Sequence, residues 1–237
     1  MPRLAIGFLL LSSMPAFADD MPGGMGRQPM QLFIGGDRLE YQLRDGDDIA
    51  LWDLQGWWGG DLNKAWLKTE GEWTETDGLE STELQLLYSR AVAAFWDLQI
   101  GARYDLRPEP ETAYLAFGIQ GLAPYWFEVD LAGFVSEDGD LSARAEFEYD
   151  LRVSRRWLLQ PRVEINAAFS DVPALSISSG VTDLEAGLRL RYEFRPEFAP
   201  YVGVEYSRLY GDRARAARED GLDPSGWGIA FGLRAWF

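Results

Sequence analysis

Hydrophobic and polar residues alternate with a period of two along most of the chain, from residue 30 to residue 237. In the clearest run, every second position from Trp96 to Tyr104 is apolar or aromatic, and the positions between them are polar or glycine. Successive side chains of a β-strand point to opposite faces, so this pattern predicts strands with one apolar and one polar face. Repeated segments of about ten such residues are typical of β-barrels that span a membrane.

The alternation divides into twelve segments. They cover residues 30–43, 49–58, 64–74, 80–90, 95–106, 113–121, 126–135, 141–152, 157–169, 181–194, 199–208 and 227–237. Barrels formed by one bacterial chain have an even number of strands, with short connections on one side and longer ones on the other. The two longest connections, 170–180 and 209–226, follow segments nine and eleven and so lie on the same side. We therefore predict an all-β fold, a transmembrane antiparallel up-and-down β-barrel of about 12 strands.

The apolar faces of these segments are expected to contact lipid, and the polar faces to line the inside of the barrel. In a soluble antiparallel sheet the apolar face packs into a core and the charges face water. Here the apolar faces together form a continuous girdle. Its aromatic residues concentrate near segment ends, as in the belts at membrane interfaces. The chain ends in Phe237, which matches the signal read during outer-membrane assembly of many barrels. These features predict the outer membrane of a Gram-negative cell.

The first residues have the organisation of a secretory signal peptide. Arg3 precedes the apolar run 4–11, and Ala16 and Ala18 form a small-residue cleavage site. The apolar run is too short to span a bilayer, and no later window offers a transmembrane helix. We expect residues 1–18 to be removed, residues 19–29, which are rich in Gly and Pro, to form a flexible periplasmic segment, and residues 30–237 to form the barrel.

Composition excludes several kinds of chemistry. The chain has no Cys and no His, which excludes disulfides, Ser-His-Asp or Cys-His catalysis and the usual zinc, haem and iron–sulfur ligands. The 38 acidic side chains against 22 basic ones, a net charge of −16, argue against nucleic-acid binding. Paired carboxylates such as Glu70 and Glu72 have the spacing that alternation alone produces, so we predict no enzyme activity.

The polar faces predict a charged lumen in which acidic residues outnumber basic ones by roughly two to one. The predicted acidic residues are Asp53, Glu70, Glu72, Glu83, Asp97, Asp105, Glu128, Asp130, Glu146, Glu148, Asp150, Glu164, Glu185, Glu193 and Glu205. The predicted basic residues are Lys68, Arg103, Arg144, Arg152, Arg162, Arg189, Arg191 and Arg234. One interpretation is that these charges pair and fill the barrel. The other is that the acidic excess attracts cations and rejects anions, and both can hold together.

Methionine is concentrated just before the first strand. Met21, Met25 and Met30 lie within ten residues, in a segment that has almost nothing to pack against. Thioethers are soft ligands suited to Cu(I), so these residues are candidate Cu(I) ligands. Chance placement of the three residues is the alternative.

Six runs resemble the copper-resistance protein B family of Gram-negative outer membranes. They are GWWGGDLNKAWLKTEGE from residue 56, FWDLQIGARYD from 95, LAFGIQGLAPYWFEVD from 115, LQPRVEIN from 159, SGVTDLEAGLRLRYE from 179 and EFAPYVGVEY from 197. The resemblance covers essentially the whole barrel. It implies an outer-membrane barrel in contact with lipid that sequesters or exports copper ions, bound or transported rather than catalytic. It also implies a periplasmic multicopper oxidase of the same system as a partner.

The chain departs from that family at its N-terminal side. Members commonly carry a longer N-terminal region rich in Met and His, whereas this chain has three methionines there and no His anywhere. A Cu(II)–imidazole site is therefore excluded, and copper handling would depend on the methionines, on weak carboxylate contacts or on a partner. A generic cation-preferring porin without copper specificity is the alternative function.

Overall fold

A computed structural model describes residues 30–44 and 46–237, and nearly all of these residues belong to one antiparallel sheet. Its strands are β1 Gln31–Arg44, β2 Ile49–Gly59, β3 Asn63–Thr74, β4 Gly78–Ala93, β5 Trp96–Arg107, β6 Thr112–Ala123, β7 Phe127–Ser136, β8 Leu141–Tyr149, β9 Leu151–Arg152, β10 Trp157–Ala168, β11 Gly180–Tyr192, β12 Phe198–Leu209 and β13 Ser225–Trp236. The short β9 continues β8 beyond Asp150, and both pair with β10. The barrel therefore has twelve strands.

With β8 and β9 taken as one strand, each strand pairs with its neighbour in the sequence, and the sheet closes because β1 pairs with both β2 and β13. A closed sheet has no free edge, which is the requirement for strands in a membrane. The predicted all-β, up-and-down barrel of twelve strands is confirmed. Within the described ranges, no helix is long and apolar enough to cross a membrane.

Burial in this barrel is inverted relative to a soluble protein. On β5, Leu98 and Ile100 are 49% and 53% exposed, whereas Gln99 between them is 7% exposed. Charged side chains are buried on other strands as well, for example Arg162 and Glu164 on β10. Soluble proteins rarely bury charged side chains while exposing a continuous apolar surface. The outer surface is therefore the lipid-facing one.

Some aromatic residues depart from the predicted outward girdle. Trp66, Leu87, Ala116 and Phe134 form an apolar cluster on the inner face, and Trp57 packs against it. A twelve-stranded barrel is only moderately wider than the eight-stranded barrels that side chains fill completely. Large side chains therefore occupy part of the interior, which the expectation that aromatic residues face lipid did not foresee.

The two ends of the barrel differ. We call the end that carries residues 30 and 237 the terminal end; its connections are 60–62, 94–95, 124–126, 153–156 and 193–197. The opposite loop end carries the two longest connections, 169–179 and 210–224. The latter contains a helix that the alternation did not predict, α1 Gly211–Glu219, whose Arg213 donates a 2.8 Å hydrogen bond to Asp183 of β11.

A β-bulge interrupts the alternation of β1. The register shifts between Gly36 and Arg38, so Asp37 and Arg38, although adjacent, both contact lumen residues. Asp37 lies 3.0 Å from Arg234, and Arg38 donates a 2.6 Å hydrogen bond to Glu70. The uninterrupted alternation predicted for residues 30–43 was wrong at this point, because one extra residue in a strand changes which face the following side chains occupy.

Candidate functional site

Carboxylates on the inner wall form two ladders, in each of which neighbouring strands place acidic residues directly opposite one another. The first ladder consists of Asp53, Glu70, Glu83 and Asp105 on β2 to β5. The second ladder consists of Asp130, Glu146, Glu164 and Glu185 on β7, β8, β10 and β11. Like charges directly opposite in a sheet repel one another. These ladders therefore require counter-charges inside the barrel.

Arg162 supplies much of the counter-charge for the second ladder. Its guanidinium lies 2.9 Å from Glu146 and 3.4 Å from Glu185, and it also contacts Glu164. The side chain is almost completely buried. A buried guanidinium is tolerated because its ion pairs with the surrounding carboxylates replace the interactions with water that it loses on burial.

Two further arginines connect the ladders across the lumen. Arg144 of β8 lies 3.0 Å from Glu70 and 2.9 Å from Glu83, on the opposite wall. Arg38 of β1 contacts Glu70 and lies 3.9 Å from Glu185. These contacts join strands that are far apart in the sheet, so the middle of the barrel is crossed by charged side chains rather than left as an open channel.

A separate ion cluster lies between β1, β11 and β12. Arg189 donates a 2.9 Å hydrogen bond to Glu40 and lies 2.9 Å from Glu205, and the Tyr201 hydroxyl donates a 2.9 Å bond to Glu40. All of these side chains are buried. Gly187 leaves the required space, because a Cβ at this position would collide with the Glu205 and Arg189 side chains. We call this group the Arg189 cluster.

An internal cavity of about 260 Å³ occupies the lumen between the arginines and the terminal end. Its acidic lining residues are Asp37, Asp53, Glu70, Glu83, Glu128, Asp130, Glu146 and Glu148. Its basic lining residues are Lys68, Arg144 and Arg234. Arg38, Arg103 and Arg162 contact some of these carboxylates from outside the lining, so eight carboxylates meet six cations. The remaining acidic excess favours cations over anions in this space. We call this space the acidic cavity.

One lysine and one arginine partly neutralise the terminal half of the lumen. Lys68 lies 2.9 Å from Asp130 across the barrel and donates a 3.2 Å bond to Gln120. Arg234 contacts Asp37 at 3.0 Å and approaches Asp150 to 3.9 Å. Each of these cations is shared among several polar groups.

The structure distributes the predicted lumen residues among several groups. The two ladders and the acidic cavity contain Asp53, Glu70, Glu83, Asp105, Glu128, Asp130, Glu146, Glu148, Glu164, Glu185, Lys68, Arg144 and Arg234. Other contacts inside the barrel involve Asp97, Asp150, Glu205, Arg103, Arg162, Arg189 and Arg191. Glu72 lies two residues after Glu70 on the inward face of β3.

Two predicted lumen residues lie outside the packed interior. Arg152 ends β9 and is 54% exposed at its side chain, where it pairs with Glu193 at 2.8 Å. Glu193 follows the last residue of β11. Alternation alone places both residues on the inward face, but the strands end there, so the pair sits at the rim of the terminal end. Arg152 and Glu193 therefore lie at the rim of the lumen and not among the charges packed in its middle.

Several inward-facing charged residues were not assigned from the alternation, among them Asp37, Arg38, Glu40 and Lys64. Asp37, Arg38 and Glu40 lie in or after the β1 bulge, which shifts the phase of the alternation. Lys64, near the start of β3, lies 2.8 Å from Asp97 on β5. A glycine pair followed by two adjacent charged residues, as at 35–38, is the sequence signal that indicates such a bulge.

The methionine prediction falls mostly outside the described residues. Met21 and Met25 lie there, and Met30 is an exposed residue directly before β1 at the terminal end. In the part of the chain that the structure covers, no three His, Cys, Asp or Glu side chains are arranged to hold a metal ion.

Comparison with known proteins identifies the family. The family model described as copper resistance protein B precursor matches residues 31–237. Copper resistance protein B of Escherichia coli is 42% identical over 201 residues, which cover 85% of this chain and 68% of that protein. A homologue from Pseudomonas syringae pv. tomato is 43% identical over 202 residues, with the same coverage.

A comparison of structures supports the fold independently. The NanC porin superposes with a TM-score of 0.54 at 13% identity, over 86% of this chain and 99% of that one. At this identity the similarity concerns the barrel alone. Together with the closed, lipid-facing barrel, these matches show that the chain belongs to the copper resistance protein B family and has a role in copper resistance at the outer membrane.

Proposed function

We propose that the protein provides a sequestration or exit route for copper ions in the outer membrane, and that copper enters the acidic cavity from the periplasm. The excess of carboxylates over cations in that cavity is the observation that carries the proposal. The terminal end faces the periplasm in this proposal, because outer-membrane barrels carry their longer connections outside the cell. The lining reaches Leu122 and Glu128, beside the terminal-end connection 124–126.

The methionines are proposed to collect Cu(I) below the cavity. Met30 directly precedes β1 at the terminal end, and Met25 and Met21 precede Met30 by five and nine residues in the sequence. Thioethers favour Cu(I), whereas carboxylates are hard ligands that attract cations mainly by charge. The methionines would supply the selectivity for copper and the barrel would supply the electrostatic attraction. Removal of residues 1–18 during export is part of this proposal.

Replacing the three methionines together tests their role. In a strain that lacks this gene, we expect M21L/M25L/M30L to restore growth on copper several-fold less well than the unchanged gene. Leucine preserves the size and apolar character of methionine but removes the soft sulfur ligand. Immunoblots of outer membranes should show equal amounts of both proteins. If both genes restored growth on copper equally at equal protein abundance, the methionines would have no role in copper tolerance.

A cation-preferring porin without copper specificity is the second candidate, because carboxylates in the acidic cavity attract any small cation. Conductance in planar bilayers separates the two candidates. A large, steady cation current through the purified barrel, together with no restoration of copper tolerance, would favour the porin. Little resting current together with restored tolerance is the result that our proposal predicts.

We further propose that a periplasmic multicopper oxidase of the same resistance system acts with the barrel. Membership of the copper resistance protein B family is the observation that supports this partner. Chemical cross-linking of whole cells followed by purification of the barrel should recover the oxidase. The proposal assigns no catalytic residue, because the carboxylates described above hold arginines and lysines.

A further inference from the structure

Arg144 occupies a special position at the inner limit of the acidic cavity. It projects from β8 and reaches Glu70 on β3 at 3.0 Å and Glu83 on β4 at 2.9 Å, and its Nε lies 3.4 Å from Glu164 on its own side. One guanidinium therefore spans the gap between the two ladders. A mobile cation that travelled from the cavity towards the loop end would have to pass this point.

Each carboxylate that Arg144 contacts also has another arginine. Glu70 accepts a 2.6 Å hydrogen bond from Arg38, and Glu83 lies 2.9 Å from Arg103. Glu164 contacts Arg162 in the same way. Each of these three carboxylates therefore keeps a contact with one arginine when Arg144 is absent, although Arg38, Arg103 and Arg162 are also shared with other carboxylates.

Arg144 is also the most accessible of the three central arginines. Its side chain is 20% exposed, against 5% for Arg38 and 2% for Arg162. Because the side chain lines the acidic cavity, this exposed part faces the space that cations are expected to fill. Arg38 also reaches both ladders, but Arg38 and Arg162 are almost completely buried among carboxylates, whereas Arg144 retains contact with water.

We propose that Arg144 is the residue that closes a cation path through the barrel. Its guanidinium is a tethered cation that takes the position between the ladders where a mobile cation would otherwise bind. Displacement of this side chain towards one wall leaves Glu70, Glu83 and Glu164 paired with their other arginines and leaves a gap between them. This inference rests on the proposed function for the direction of transport. The closure itself would block any small cation, whether or not it is copper.

Single-channel recording in potassium chloride tests the closure. We expect purified R144A and R144Q barrels to show a conductance several-fold larger than that of the unchanged barrel. In a potassium chloride gradient, the reversal potential should indicate cation selectivity. The slower migration of boiled samples on gels establishes that each variant is folded before it is recorded.

R103Q is the matched control. It removes the same charge and also removes a contact with Glu83, but Arg103 lies along the wall, with its guanidinium 4.5 Å from the Phe134 ring, and does not line the acidic cavity. We expect its conductance to equal that of the unchanged barrel.

Four results would overturn the inference. They are an unchanged conductance in folded R144A, an equal increase in R103Q, an anion-selective current, and failure of both Arg144 variants to fold, which would show that Arg144 is needed for pairing. Copper tolerance is scored separately in cells. If the unchanged gene failed to restore copper tolerance to the deletion strain, the proposed function would be rejected. The potassium result would still stand.

Discussion

Replacing Arg189 with methionine is expected to destabilise the barrel by about 3–5 kcal/mol. The substitution leaves Glu40 and Glu205 buried together without the guanidinium that now lies 2.9 Å from each of them. Methionine fills similar volume, so the main effect is the uncompensated charge and not an empty space. The measurement is urea unfolding of the barrel in lipid vesicles, followed by tryptophan fluorescence.

Two further variants separate charge from packing. R152M removes the arginine of the Arg152–Glu193 ion pair at the exposed rim. Water and salt screen the charges there, so we expect little change in the free energy of unfolding. Adding E40Q and E205Q to R189M removes the charge of the two carboxylates that have lost Arg189 as a partner. This change should recover part of the lost stability. Equal destabilisation by R189M and R152M would show that the Arg189 cluster does not stabilise the fold.

I100R is expected to lower the free energy of unfolding by about 2–4 kcal/mol, because charges are least tolerated on the lipid face near the middle of the bilayer. Ile100 lies midway along β5 and its side chain points outward, opposite Tyr88 on β4 and Phe117 on β6. The same urea titration in vesicles measures the loss.

L106R provides the comparison within the same strand and on the same face. Leu106 is the penultimate residue of β5, near the loop end, and is also outward and exposed. Near the interface the penalty falls to about 0–1 kcal/mol, because the arginine reaches water and lipid headgroups. If I100R and L106R were equally destabilised, the depth profile expected of a membrane barrel would be absent.

The sequence was sufficient to predict the fold because its evidence is local and repeated. In segments such as 141–152 the side chains alternate without interruption, and a closed barrel requires that each such face be entirely lipid-facing or entirely inward. The break at Asp150 between β8 and β9 did not disturb the prediction, because the phase of the alternation is the same on both sides. Strand number and connection lengths followed from the same periodicity.

The site was predictable only in part because its contacts are not local. Alternation placed Arg144 and Glu83 inward, but it carries no information that these residues, 61 positions apart, meet across the lumen. Such contacts depend on barrel diameter and register. The charges at Asp37 and Arg38 were hidden by a bulge, and helix α1 lies in a connection where the alternation ceases to apply.

The central claim is that one face of every strand contacts lipid while the other faces an enclosed, charged interior. The chain has no cysteine, so single cysteines placed along β5 can each carry a spin label without competing reactions. At positions 98, 100, 102 and 104 in lipid vesicles, we predict high collision rates with oxygen, which partitions into the bilayer. Positions 97, 99, 103 and 105 should show low oxygen collision rates. A uniform profile along the strand, or one in the opposite phase, would contradict the account.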